Sequence, residues 1–395
     1  MMRSIPAAGH SIRLRSVVQA ALFSTESAPP REFSAAYPGA LLTNSGTTAL
    51  WVAMMAVKDR SPARKIILPS YTCPSVAAAA IGAGLIPVLC DMEPGRFVLN
   101  KEHLAALIDG GTLAIVAVHL FGVPEDVEAI RSAAAGRQVA IIEDATQATA
   151  NPEPSSSRLL GTCGDIGVLS FGRGKPLSVL AGGAVVGCSA ELQKQAEEHW
   201  RHLPEPAGVL PAIKTVAVLL AYSVLFHPRL FWLPRALPWF RVGETWFAKE
   251  FPASKAGSIV PRMLQTVWPG LAAIRAGRER TAIAFRSALE GCVEVRQPDL
   301  KAVECGLVRY PLVFDSPQQR DSALAAMEQE GLGGTGMYPA PLHRIPGLAE
   351  TFPGVTCRHA ESLAGRILTL PLHDRVKPED VDRIAESVRE ACRNG

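Results

Sequence analysis

The sequence lacks the markers of a disulfide framework and of a structural metal site. Its eight cysteines are scattered along 395 residues without any pair at CxxC spacing, and its nine histidines form no HExxH motif. Zinc sites usually show closely spaced ligands of this kind, and disulfide-rich folds are short secreted chains dense in cysteine. We therefore expect free thiols, no disulfide, no bound metal and a reducing, cytoplasmic compartment.

The sequence also has neither a large excess of one charge nor an apolar run of membrane-spanning length. Forty Lys and Arg residues face 37 Asp and Glu residues, which gives a formal net charge of +3. That balance argues against nucleic acid as the main partner, because such binding needs clustered basic residues. No uncharged apolar run reaches about 18 residues, so a simple transmembrane helix is not expected.

The N-terminus does not follow the basic-then-apolar plan of a secretion signal. Residues 1–25 contain three arginines and no acid, which gives a faint similarity to a transit peptide. We interpret residues 1–36 instead as the N-terminal arm of a cytoplasmic protein.

Apolar runs alternate with longer helical stretches between residues 37 and 204. The runs are almost continuously apolar, as in strands covered on both faces, and the segments between them are long enough for crossover helices. With hydrophobic residues at 48% of the chain, a large core can form. This pattern predicts an α/β domain around a mostly parallel sheet, with strands near residues 65–69, 86–91, 113–119, 139–144, 166–171 and 184–188.

Residues 205–255 break this pattern and form an apolar insert. The run 215–226 is too short to span a hydrocarbon core, which needs about 20 residues. Three interpretations of the insert stay open: packing in the core or against a partner subunit, contact with a membrane surface through residues 205–250, and a lid over the substrate. Residues 256–395 predict a helical linker and a smaller C-terminal α+β domain, with strands near residues 307–314 and 366–372.

Functional groups stand where the predicted strands end. Asp144 ends one strand, Ser170 ends the next and Lys175 follows in a loop, while Gly46 and Thr47 begin an apolar helix. The carboxyl ends of parallel strands meet at one edge of a sheet, and a helix N-terminus binds phosphate through its free N–H groups. A phosphate site, a carboxylate for a ring nitrogen and a lysine amine together predict pyridoxal 5'-phosphate (PLP) as the cofactor.

Simpler interpretations of the same residues exist. Asp144 and Thr47 also suit helix caps, and Ser170 suits a loop hydroxyl. A P-loop is excluded, because Leu169 stands where that motif needs glycine and Pro176 stands where it needs Ser or Thr.

Several short motifs occur in the order found in one enzyme family, the DegT/DnrJ/EryC1/StrS family of PLP-dependent sugar aminotransferases of fold type I, which the chain resembles. Any one motif is common, but the ordered set is specific, and Lys175 stands 31 positions after Asp144. The motifs that carry the resemblance are Ser45-Gly46-Thr47-Thr48-Ala49-Leu50, Leu68-Pro69-Ser70-Tyr71-Thr72, Val118-His119-Leu120-Phe121-Gly122, Glu143-Asp144-Ala145-Thr146-Gln147, Gly164-Asp165-Ile166-Gly167, Ser170-Phe171 with Lys175, and Gly182-Gly183-Ala184-Val185-Val186. A looser similarity continues through the C-terminal domain.

The resemblance implies a fold with a large α/β domain and a smaller C-terminal domain, and it implies roles at the cofactor. Lys175 would form the Schiff base with PLP and shuttle protons, and Asp144 would bind the pyridinium nitrogen. Gln147 would lie near the ring oxygen of the cofactor. Ser170 and the backbone around Gly46 and Thr47 would hold the phosphate.

The resemblance also implies a reaction and an assembly. An amino group would pass from an amino acid, usually glutamate, to a keto group on a nucleotide-linked sugar, as in surface-polysaccharide or amino-sugar biosynthesis, and the enzyme would be a homodimer. His119, Tyr338 and His343 are candidates for contact with the substrate. Cys73 stands where the family usually places an aromatic side chain against the cofactor ring; by itself it suits an inert thiol.

The chain departs from the family pattern in three places. Cys73 replaces the aromatic residue, the Asn that many members carry shortly before Arg-Met is absent from residues 258–261, and the apolar insert is longer than the family core needs. Two alternatives therefore accompany the aminotransferase hypothesis. One is a PLP-dependent sugar dehydratase, against which Lys175 argues because the resemblance implies that such members lack the lysine; the other is a non-catalytic, membrane-associated PLP-binding or regulatory protein.

Overall fold

A seven-stranded sheet forms the centre of the larger part of the protein. The computed structural model describes residues 3–23, 28–236, 245–299 and 306–394. The strands of this sheet follow the order β1-β7-β6-β5-β4-β2-β3, and β7 alone runs antiparallel to its neighbours. Their bounds are β1 Leu41–Thr43, β2 Lys65–Pro69, β3 Ile86–Cys90, β4 Thr112–Val118, β5 Ala140–Asp144, β6 Ile166–Ser170 and β7 Gly183–Gly187. The predicted α/β architecture with a mostly parallel sheet is confirmed.

Helices cover both faces of this sheet and continue into the C-terminal part. Every residue of the central strands β4, β5 and β6 is buried, which explains their continuous apolar runs. The α-helices are α1 Leu14–Val18, α2 Arg31–Ala36, α3 Gly46–Lys58, α4 Pro74–Gly82, α5 Lys101–Leu107, α6 Val127–Ala133, α7 Ala190–Arg201, α8 Leu210–Leu225, α9 Trp232–Ala236, α10 Ile259–Val267, α11 Leu271–Ala288, α12 Pro317–Gln329, α13 Arg358–Arg366 and α14 Pro378–Asn394.

The C-terminal part contains a second, three-stranded antiparallel sheet. Its strands β8 Val295–Arg296, β9 Arg309–Phe314 and β10 Ile367–Pro371 lie in the order β10-β9-β8. Helices α11, α12 and α14 pack together beside it around a separate apolar core. This is the smaller α+β unit expected from the sequence.

The N-terminal segment runs between the two sheets and is held by both parts. The backbone N–H of Ile5 donates to Gly331 O at 2.7 Å, and Arg309 donates to Ala7 O at 3.1 Å. On the other side, His10 Nε2 accepts from the backbone N–H of Ser178 at 2.9 Å. Burial, with the charge of Arg278, lowers the pKa of His10 to about 4, which keeps this acceptor neutral.

The described part of the apolar insert contains helices α8 and α9, and residues 237–244 lie outside the described residues. Helix α8 begins at Leu210, five residues before the predicted run at residue 215, and packs against α1 and α10. Among the helices in the described ranges, none combines the length and the apolar character required to cross a membrane. The seven described cysteines are free.

Candidate active site

The strand ends bring the predicted phosphate-binding residues together. Asp144 and Ser170 end the neighbouring strands β5 and β6 and are 3% and 4% exposed. Helix α3 begins at Gly46, where an added Cβ would lie 2.9 Å from Ser170 Cβ and 3.5 Å from Thr146 Cγ2. Glycine at this position therefore lets the helix start lie directly against the ends of β5 and β6.

The start of α3 has the features of an anion site. The side chain of Ser45 caps the helix by accepting from Thr48 N at 3.1 Å. The N–H groups of Gly46 and Thr47 in the first turn have no intrahelical acceptor, and the positive end of the helix dipole favours an anion there. Ser170 Oγ adds a hydroxyl beside them, since it contacts Gly46 closely.

Lys175 is joined to Asp144 through one intervening residue. Lys175 Nζ donates to Thr146 Oγ1 at 3.3 Å, and Thr146 N donates to Asp144 Oδ1 at 3.0 Å. No acid forms an ion pair with Lys175 in the described part of the chain. Thr146 was missed at the sequence level; its place between Asp144 and Gln147 in the same motif was the available signal.

Gln147 is fixed by a residue from the C-terminal part of the chain. Its Oε1 accepts from Phe121 N at 3.2 Å, and its Nε2 donates to Tyr338 Oη at 3.2 Å. Tyr338 is held in turn by Tyr71, whose hydroxyl donates to Tyr338 O at 3.1 Å and whose ring meets the Tyr338 ring edge-on at 5.6 Å. Burial raises the pKa of Tyr338 well above its usual value, and the neighbouring Cys73 thiol acts in the same direction. Tyr338 therefore offers a neutral hydroxyl, with Cys73 nearby.

His119 is enclosed rather than presented to a substrate. Its side chain is fully buried, Nε2 lies 2.8 Å from Glu143 Oε1, and Nδ1 accepts from Glu125 N at 2.9 Å. Both ring nitrogens are thus engaged, and the backbone N–H of His119 donates to Asp144 O at 3.1 Å. This geometry does not support the expected substrate contact; it makes His119 a positioning residue behind Asp144.

Glu143 is the acceptor at the centre of that network. Besides His119, its carboxylate accepts from the backbone N–H groups of Gly161, Cys163 and Gly164 at 2.6–2.7 Å. Burial alone opposes ionisation, but the hydrogen bonds from His119 and the backbone outweigh it and lower the pKa of Glu143. The carboxylate therefore stays charged and fixes the loop 161–164 against the end of β5.

His343 pairs away from the cluster. Its Nε2 lies 2.7 Å from Glu361 Oε1 on α13, and its ring is buried while Nδ1 has no hydrogen-bond partner in the described part of the chain. The structure thus brings together five residues at the strand ends: Gly46, Asp144, Thr146, Ser170 and Lys175. It links Gln147 to Tyr338, whereas His343 pairs with Glu361 on α13.

A cavity of about 1040 Å³ lies outside this cluster. The N-terminal segment, α11 and residues 373–381 line it, with Arg13, Arg15, Arg280 and Lys377 among its side chains. Neither Lys175 nor any other residue of the cluster lines it, so it is not the candidate active site.

The donor set at the strand ends fits PLP. An amine, a carboxylate and a phosphate-binding helix start with an adjacent hydroxyl are the three groups that this cofactor requires.

The sequence model of the DegT/DnrJ/EryC1/StrS aminotransferase family matches residues 32–203 and 263–389, which is more than half of the chain. The chain belongs to the DegT/DnrJ/EryC1/StrS aminotransferase family. It is a PLP-dependent aminotransferase, as predicted.

Individual relatives agree with the family assignment. The chain is 27% identical over 350 residues to a UDP-N-acetyl-3-dehydro-alpha-D-glucosamine 3-aminotransferase of Acidithiobacillus ferrooxidans, covering 87% of this chain and 82% of the relative. It is 25% identical over 350 residues to a dTDP-4-dehydro-2,3,6-trideoxy-D-glucose 4-aminotransferase of Saccharopolyspora spinosa, covering 88% and 83%. The Helicobacter pylori aminotransferase PseC superposes with a TM-score of 0.77 over 100% of both chains at 17% identity, which shows the fold alone. The fold type I prediction is confirmed, and the stretch 204–262 left unmatched by the family model contains the apolar insert, residues 205–255.

Proposed function

We propose that this aminotransferase moves an amino group from an amino acid, with glutamate as the expected donor, to the keto group of a nucleotide-linked sugar. The observation that carries the proposal is the chain of contacts from Lys175 through Thr146 to Asp144 beside the N-terminus of α3. Support for the acceptor class comes from the two full-length relatives, which are named as aminotransferases of a UDP-linked and a dTDP-linked keto sugar.

Each residue of the candidate active site would have a role that follows from its position. PLP, when bound, supplies an electron-withdrawing ring that stabilises negative charge on the substrate carbon. Lys175 Nζ would carry the cofactor and move the proton at that carbon, and Asp144 would keep the proton on the ring nitrogen. The backbone of Gly46 and Thr47 with Ser170 Oγ would hold the phosphate. Gln147, fixed by Phe121 N and Tyr338 Oη, would position the ring from its oxygen side.

The assembly and its surroundings are part of the proposal. A homodimer in the cytoplasm, serving surface-polysaccharide or amino-sugar biosynthesis, fits an enzyme with free thiols and sugar-nucleotide relatives. Whether such a dimer moves freely or is held at a membrane depends on the exposed surface of the apolar insert.

Borohydride trapping tests the role of Lys175. Reduction of the holoenzyme should fix PLP to the peptide that contains Lys175, and Lys175→Ala should hold PLP only reversibly and lose amino transfer. Lys194→Ala, which removes an exposed lysine on α7, is the matched control and should keep full activity. Mass spectrometry of products from a panel of UDP-linked and dTDP-linked keto sugars identifies the acceptor; retained transfer in Lys175→Ala, or no amino sugar from any acceptor, would contradict the proposal.

A further inference from the structure

Helix α8 is apolar on its outward face as well as on its packed face. Leu219 is fully buried against α1 and α10, as expected for a packed helix. The opposite face exposes Leu210 at 76%, Ile213 at 58%, Val218 at 42% and Val224 at 52%. A helix at a water-exposed surface normally carries polar residues on its outward face. We therefore expect another molecule to cover the apolar outward face of α8.

Neighbouring elements also expose apolar side chains. Helix α1, which contacts α8, exposes Leu14 at 54%, and Leu22 just beyond it is 73% exposed. After the turn that ends α8, helix α9 exposes Trp232 and Leu233. We name these exposed side chains of α1, α8, α9 and the turn after α1 the α1–α8–α9 surface. Single exposed apolar residues are common in proteins, but a set spread over adjoining helices marks an interaction site.

The charge of the α1–α8–α9 surface distinguishes between a second copy of the chain and a membrane as the partner that covers it. Residues 3–23 and 206–236 contain no Asp or Glu, whereas Arg13, Arg15, Lys214, Arg229 and Arg235 are exposed there. A symmetric dimer places a patch against its own copy, which would oppose these five cations to one another, since the acids that contact the N-terminal segment, Asp374 and Asp380, bond Ser11 and Arg3 instead. An anionic membrane offers both the apolar layer and the negative charge that such a surface lacks.

We propose that the α1–α8–α9 surface docks on membranes that contain anionic lipids. Helix α8 has 16 residues, too few to span a bilayer that needs about 20, so it lies along the interface with its outward face among the upper acyl chains. Trp232 is 40% exposed and its indole N–H donates to Arg229 O at 3.1 Å, so its ring offers an apolar face at the headgroup layer. The basic residues contact lipid phosphate. The proposal is independent of the sugar substrate, because none of the residues named at the active site belongs to this surface.

Vesicle flotation of the full-length holoenzyme tests the docking surface. We expect binding to vesicles of phosphatidylcholine mixed with phosphatidylglycerol, weaker binding to pure phosphatidylcholine, and loss of binding as salt is raised, since salt screens surface charge. The combined variant Ile213→Ser, Val218→Ser, Val224→Ser should weaken binding to the mixed vesicles at least about tenfold. Lys214→Gln with Arg229→Gln should weaken it by about fivefold or more for each charge removed.

A matched control removes three exposed aliphatic side chains elsewhere. Ile86, Ile283 and Val293 are 62%, 49% and 85% exposed on β3, α11 and the segment after α11, and their replacement by Ser should leave vesicle binding unchanged. PLP absorbance and amino transfer should be normal in every variant, which separates this test from that of the proposed function. Wild-type protein that stays free of anionic vesicles overturns the proposal. If the Ile213, Val218 and Val224 variant then changes the dimer–monomer balance in light scattering, a second copy of the chain covers the surface instead.

Discussion

Glu143→Gln should destabilise the protein strongly although it changes a single oxygen into an amide nitrogen. Glu143 Oε1 accepts from Gly161 N and lies beside His119 Nε2, and Oε2 accepts from Cys163 N and Gly164 N. Since His119 Nδ1 accepts from a backbone N–H, Nε2 carries the ring proton and donates to Glu143. Every group around the carboxylate is therefore a donor.

The amide leaves at least two of these donors without an acceptor. Whichever way the glutamine turns, its NH2 group faces two donors, and the two remaining bonds lose their charge. A hydrogen bond to a charged group contributes about 1.5–3 kcal/mol, and breaking a buried charged pair costs about 3–5 kcal/mol. We expect a loss of at least about 3 kcal/mol, which for a chain of this length lowers the apparent Tm by about 4 °C. The rate of amino transfer should fall as well, because the backbone of His119 bonds Asp144 O.

Thermal unfolding of the holoenzyme measures the effect, with Glu153→Gln as the matched control. Glu153 also accepts from a backbone N–H, that of Ser155, but at the surface, so its replacement should stay within about 0.5 kcal/mol. The folded pKa of Glu143 lies below its ordinary value of 4.5, so the stabilisation is complete above that value and is lost as the pH falls through the folded pKa. The gap between wild type and Glu143→Gln should accordingly be constant near neutral pH and shrink in acid. Equal Tm values for the two variants at neutral pH would refute the reasoning.

Three further substitutions test the cluster at the strand ends. Asp144→Asn keeps an acceptor for Thr146 N but removes the charge, and kcat should drop by about a hundredfold or more with little change in Tm; an unchanged kcat would remove Asp144 from the site. Thr146→Val deletes the hydroxyl that accepts from the Lys175 amine and should slow amino transfer by about fivefold, whereas Thr146→Ser keeps a hydroxyl and should retain the wild-type rate. Equal rates in the two variants would show that the hydroxyl does not contribute to amino transfer. Gly46→Ala places a Cβ 2.9 Å from Ser170 Cβ and should cost about 1–3 kcal/mol and weaken PLP affinity in equilibrium dialysis. Gly277→Ala, where the nearest atom would be 3.9 Å away, should do neither, and a similar response in both variants would contradict the close contact at Gly46.

Local sequence determined the sheet and the chemistry of its edge. Strand β2 occupies Lys65–Pro69, as predicted, because its four buried residues after Lys65 form a continuous apolar run. Asp144 and Ser170 stand at strand ends in the sequence itself, and the carboxyl ends of parallel strands always share one edge. The order of motifs was enough to predict PLP, and the family match bears that out.

Partners that are distant in sequence were decided only by the tertiary structure. Gln147 and Tyr338 lie 191 residues apart and meet because the two parts of the chain pack together. His119 was expected near a substrate because it follows a strand, but a side chain at a strand end turns toward whichever partner the fold supplies. Here that partner is the buried Glu143.

The apolar insert shows the same division most clearly. Its sequence alone established that the run 215–226 is long enough for a helix and too short to span a membrane. It did not establish which of its apolar faces would be covered, because a helix that is apolar all round has no preferred buried side. Contact with α1 and α10 buries Leu219 and leaves Ile213 and Val218 outside. Composition thus determined that this segment is apolar on all sides, and packing determined which face is buried and which stays exposed.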